Sequence, residues 1–124
     1  DPKGQLIPST PTISIECDPE EIWKITSALS SAAISAYAFS RVAGSALSSD
    51  TIKLSAKQVN ALPLPSVSNY WEQASQYAQE AFSSKFEEVK RNKMKKMSHK
   101  VSLAYDCDDN LLEEWWFKRL PKWR

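Results

Sequence analysis

From Ile22 onward apolar residues recur at alternating spacings of three and four. Ile22, Ile25, Leu29, Ala32, Ala36, Phe39 and Ala43 form one long stripe, as an amphipathic helix requires. Its start is marked by Asp18 as N-cap, Pro19 at the first helical position and Glu21 closing a D-x-x-E box. Gly44 stands where a C-cap belongs. The pattern predicts a helix of roughly 25 residues, about 38 Å long at 1.5 Å per residue. Before it, Thr12–Cys17 alternates polar and apolar, with Ile13 and Ile15 on one side, which predicts a short half-buried strand. Residues 1–11 carry three prolines and read as an extended arm.

A second long helix is predicted from about Asn69 behind Ser68 as N-cap. Trp71, Ala74, Ala78 and Ala81 give it an apolar face that Phe82, Phe86 and Val89 continue with drift. Lys90 and Lys93 then interrupt the stripe, and Met94, Met97, Val101 and Ala104 partly restore it. A final short helix follows a cap at Asp108 or Asp109, carries Leu111, Leu112, Trp115, Trp116 and Leu120, and stops at Pro121. The fold class expected is mainly α with a small β component. Its organisation is an arm and strand over 1–17, a helical core over 18–105 and a Trp-rich C-terminal helix over 106–124.

The segment between the long helices, GSALSSDTIKLSAKQVNALPLP over Gly44–Pro65, holds more turn chemistry than a connector needs. A polar loop over Ser45–Asp50 leads into a short strand, Thr51–Leu54. Ser55 and Gln58 make an S-x-x-Q capping box for one helical turn. Pro63 ends the turn and biases Leu62 toward extended backbone. Val59 and Leu62 are expected to face inward. Lys53, Lys57, Gln58 and Asn60 are left to point outward, and such side chains suit DNA: Lys for phosphate or guanine, Gln and Asn for adenine.

Composition narrows the function classes. The chain has 124 residues, 42% hydrophobic and 25% charged, with net charge +1 and only two glycines. This is ordinary globular material with no global demand for a nucleic acid or a membrane. No apolar run reaches the roughly 18 residues that a membrane span needs. The chain opens on Asp within a Pro-rich stretch and reads as a fragment of a longer, cytoplasmic polypeptide. Cys17, Cys107 and the one histidine, His99, lie in unrelated segments, which argues for reduced thiols over a zinc site. His99 sits inside a Lys-rich run and reads as a solvated helix residue. The paired acids Glu20/Glu21, Glu87/Glu88, Asp108/Asp109 and Glu113/Glu114 are sequence neighbours, so on helices they diverge by about 100° and read as caps and solubilising groups. No catalytic residue is assigned.

The run Lys90–Lys100 holds six permanent cations. It either grips phosphates, with Lys90, Arg91 and Lys93 as candidates, or forms a solvated helix end. The tail WWFKRLPKW either stacks on bases or closes a core.

The ordered series ALSSAAISAYAFSRVAG (Ala28–Gly44), IKLSAKQVNALPLP (Ile52–Pro65) and an amphipathic helix with an early tryptophan, Trp71, resembles the C-terminal target-recognition part of adenine-N6 DNA methyltransferases of restriction–modification systems. The resemblance covers roughly Ile7 to Ala81. It implies double-stranded DNA as a partner and S-adenosylmethionine as the cofactor of the parent protein, with the target adenine flipped out for methylation. The family's (N/D/S)PP(Y/F) motif and glycine-rich cofactor loop do not occur in this sequence, so this chain holds no cofactor itself. The resemblance places both in a missing methyltransferase domain or subunit. The alternative is a non-enzymatic helical module that docks a protein partner. A third reading is a mobile-element protein that binds nucleic acid through the Lys-rich helix alone.

Overall fold

The computed structural model describes residues 3–7, 9, 12–42 and 53–121. Helices account for all regular structure among them: α1 (Ile22–Leu29), α2 (Ala32–Arg41), α3 (Ala56–Asn60), α4 (Asn69–Ser83), α5 (Glu87–Ala104) and α6 (Asn110–Lys118), with a 3₁₀ turn, Pro19–Glu21, ahead of α1. The expected β component is not found among the described residues. Thr12–Cys17 has no regular structure, and Ile13 and Ile15 are 37% and 49% exposed. The alternation there is real, but no partner strand is present among the described residues to satisfy a ladder. Of the other expected strand, Lys53 and Leu54 are irregular, whereas Thr51, Ile52, the Ser45–Asp50 loop and the Gly44 cap lie outside the described residues.

Both long helices are broken. The first stops at Ser30, and Ser31 takes an extended conformation (φ −97°, ψ 161°) to cap a new helix, its Oγ accepting from the Ile34 N–H. Consecutive serines can bond to local backbone and so compete with helix continuation. A distant residue stabilises the break: Ser98 of α5 accepts from the Ala32 N–H at 2.9 Å, satisfying an orphan donor at the start of α2. The second helix breaks at Ser84–Phe86, where the Phe86 N–H donates to Ser84 Oγ. Glu87 and Glu88 then open α5 at its positive dipole end. The expected Asp18 box is also absent. Asp18 makes no side-chain cap bond, and Glu21 pairs with Lys24 at 3.5 Å instead.

These breaks create the fold. α4 and α5 form the principal helical hairpin, α1 packs on α4, and α2 with α6 closes against α5. Ala32, Ala74, Ala78, Met97, Val101 and Trp116 make the main core. Alanines at the crossings, Ala28, Ala32, Ala74, Ala78 and Ala104, let the backbones approach closely. Phe82 and Phe86 do not continue the core: they are 65% and 74% exposed, because the chain turns away at Ser84. At the other end of α5, Asp106 adopts a left-handed conformation (φ 60°) and the Cys107 N–H returns to the Ser102 carbonyl, redirecting the chain into α6. Asp109 caps α6 as the sequence predicts, accepting from the Leu111 and Leu112 N–H groups. The tail's Trp116 is buried, and Trp115 meets Phe39 edge-on with centroids 6.4 Å apart, so these two rings close the core. No described helix is long and apolar enough to cross a membrane.

Candidate nucleic-acid interface

The turn around α3 is held from three directions. Its capping box is complete: the Gln58 N–H donates to Ser55 Oγ at 3.2 Å, and the Ser55 N–H donates to Gln58 Oε1 at 2.8 Å. Val59 and Leu62 are half-buried as expected, and Leu62 reaches a cavity of about 430 Å³ shared with Trp115 and Trp116. The third tie was not visible in the sequence. Tyr105, at the end of α5, donates its hydroxyl to the Pro63 carbonyl at 2.5 Å, which fixes the LPLP segment to the helical hairpin. Further on, Ser68 caps α4 as predicted, and the buried Trp71 donates its indole N–H to the Lys24 carbonyl of α1 at 3.0 Å.

Lys53, Lys57, Gln58 and Asn60 are all exposed around this turn. The side chains of three of them, Lys53, Lys57 and Asn60, make no hydrogen bond or ion pair among the described residues and so are open to a ligand. Gln58 is not, because its Oε1 serves the capping box, and the bidentate grip on adenine needs both amide atoms. Gln58 therefore holds the turn.

Burial raises the Tyr105 hydroxyl to about 12 from its ordinary value of 10.0. A raised phenol favours the folded state fully below pH 10 and loses that contribution as pH rises through about 12, because the unfolded chain gives up the proton first. Absorbance titration should find one tyrosinate forming only near pH 12, and Tyr105→Phe should remove that late step.

The six cations of α5 differ in partners in ways that the sequence does not separate; one of them, Lys95, is exposed, lies 5.4 Å from the Phe117 ring centroid and has no carboxylate at ion-pair distance among the described residues. Arg91 is tied inward: its guanidinium donates toward the carbonyls of Phe117 and Pro121 and lies 4.7 Å from the Phe117 ring centroid. Lys93 is ion-paired with Glu80 of α4. Lys90 is half-buried beside Trp23, Phe82 and Met94. These three sequence candidates thus serve mostly internal contacts. Lys96 and Lys100, which the density of charge along the chain does not distinguish, rest on Tyr77 and Tyr70 of α4 at 6.0 and 5.6 Å. Their signal was the register of the α4–α5 hairpin. His99 is a half-buried position inside α5.

Glu113 is a polar residue whose role sequence reasoning missed. It is buried, accepts from Ser102 Oγ at 2.5 Å through Oε1, and leaves Oε2 without a hydrogen-bond partner among the described residues. Its signal was present: it lies three residues before Trp116 on the apolar face of α6. Burial, then Asp109, Glu113 and Asp108, push the Cys107 thiol up, which suppresses its thiolate. Both cysteines are free thiols. No group of three or more metal-ligating side chains is assembled among the described residues.

The chain matches no known family, no curated protein and no solved structure.

Proposed function

We propose that this chain contributes DNA target recognition, or the helical support for it, within an adenine-N6 methyltransferase of the restriction–modification type. The chemistry would reside in another domain or subunit. With only Gly4 and Gly44, the chain contains no glycine-rich loop to hold S-adenosylmethionine. The observation that carries this reading is the α3 turn. Val59 and Leu62 face the protein and an exposed capping box holds the turn, while Lys53, Lys57 and Asn60 are exposed on a segment pinned by Tyr105. Fixed cations position a duplex through its phosphates, and an amide on a rigid turn can read a base edge.

Anisotropy titration of labelled duplex DNA with the full chain, repeated across salt concentrations, tests the reading. Lys53→Ala, Lys57→Ala and Asn60→Ala together should weaken binding and make the salt slope shallower by about 0.9 for each phosphate that is no longer neutralised. Unchanged affinity in a folded triple variant would remove these residues from the interface.

A second reading has its own support. Phe82, Phe86 and Val89 are exposed together around the α4–α5 turn, with Trp23 packed 5.3 Å from Phe82. Such a surface suits protein docking. Concentration-dependent association without DNA binding would favour it.

A further inference from the structure

We propose that Lys96 and Lys100, on the flank of α5 that lies beside α4, bind the phosphate backbone of duplex DNA. This rests on the DNA reading above but concerns a different element, α5 in place of the α3 turn.

Lys93, Lys96 and Lys100 fall within about 60° of one another around α5 at 3.6 residues per turn. They do not have equal charge to offer, because Lys93 is neutralised by Glu80. Lys96 and Lys100 have no carboxylate within ion-pair distance among the described residues. Glu72, the other acid of α4 within a turn of Tyr70, pairs with Lys24 of α1.

Each of the two lysines lies against a tyrosine ring of α4, Lys96 on Tyr77 and Lys100 on Tyr70. A ring attracts the ammonium through its quadrupole without cancelling its charge. The stem is therefore held in place while the head stays available, so binding orders little that was free. Lys96 is exposed and Lys100 half-buried, and Tyr70, 45% exposed, has its own surface area beside them.

The spacing fits a nucleic-acid strand. Lys96 and Lys100 are separated by about 6 Å along the helix axis at 1.5 Å per residue. One strand of a duplex rises about 3.4 Å per phosphate along its axis and also winds around it, so neighbouring phosphates lie farther apart than that rise, and two lysines about one helical turn apart can each meet one of them. A lipid surface would use apolar residues interleaved with the cations. Here Met97, between the lysines, and Val101, directly after them, are fully buried.

The test compares Lys96→Gln/Lys100→Gln with the unmodified full chain in the same anisotropy assay. Glutamine removes the charge and keeps part of the aliphatic stem, with a shorter, neutral amide in place of the ammonium. With two phosphates no longer neutralised, the slope of log affinity against log salt should become shallower by about 1.8, and binding should weaken about 60-fold at about 0.1 M salt. Lys96→Arg/Lys100→Arg should keep the slope, and so should Lys118→Gln, whose lysine pairs with Glu114 on α6. If the glutamine variant keeps the full slope while the Lys53/Lys57/Asn60 variant loses affinity, the α5 assignment is overturned and the recognition turn stands. If the unmodified chain binds no duplex, whether or not it binds anionic phospholipid vesicles, both fall.

Discussion

Trp71→Ala should lower the stability of the chain by about 3–5 kcal/mol, the range for removing a large buried aromatic. Trp71 is 5% exposed and clusters with Ala28 of α1 and Ala104 of α5. The other buried members of that cluster are alanines, which have little side chain to fill the vacated space. The indole N–H is also the direct bond from α4 to the Lys24 carbonyl of α1. Against a whole-domain stability of about 5–15 kcal/mol, such a loss is a large fraction. Trp71→Phe separates the two contributions: it keeps most of the volume and should cost about 1 kcal/mol for the bond, plus a smaller packing loss. Urea unfolding followed by far-UV circular dichroism measures both. A midpoint for Trp71→Ala within error of the unmodified chain would contradict the described packing of α1 on α4.

Met97→Ala should destabilise by about 2–5 kcal/mol, whereas Phe86→Ala should change stability by less than about 0.5 kcal/mol, as at an ordinary surface site. Hydrophobicity alone ranks these residues in the opposite order, since Phe86 is the larger apolar group. The difference comes from the break at Ser84. Met97 is fully buried between α4 and the start of α2, in the same cluster as Ala32, Ala74 and Val101. Phe86 precedes α5 and is 74% exposed. Thermal or urea unfolding of the two variants decides the matter. A large loss for Phe86→Ala would mean that the α4–α5 turn is covered in the folded protein, which is what the docking reading expects.

Much of the local structure was legible because it depends on neighbours in sequence. The Ser55–Gln58 box, the Ser68 and Asp109 caps, and the inward positions of Val59, Leu62 and Trp116 all follow from residues within one or two helical turns. The outward placement of Lys53, Lys57 and Asn60 followed from the same local pattern. The failures share a cause. Periodicity carried the apolar stripe through Ser30–Ser31 and through Ser84–Phe86, because a spacing of three and four does not register whether a helix stays continuous. The strand at Thr12–Cys17 failed for a related reason: alternation describes a surface suited to pairing, but a strand exists only with a partner. The α5 cations were judged by their density along the chain. Which are free depends on Glu80, Phe117 and the two tyrosines, residues up to 30 positions away.

The sequence by itself therefore determined a helical chain, the Ser68 and Asp109 caps and a polar turn closed by the Ser55–Gln58 box, because each of these is encoded within a few residues. Only the tertiary structure decided where the long helices break, since Ser98 supplies the acceptor that stabilises the start of α2 from 66 residues away. It also decided which lysines of α5 are ion-paired. Antiparallel packing of α4 and α5 sets Glu80 against Lys93, whereas Lys96 and Lys100 lie beside tyrosine rings with no carboxylate at ion-pair distance among the described residues.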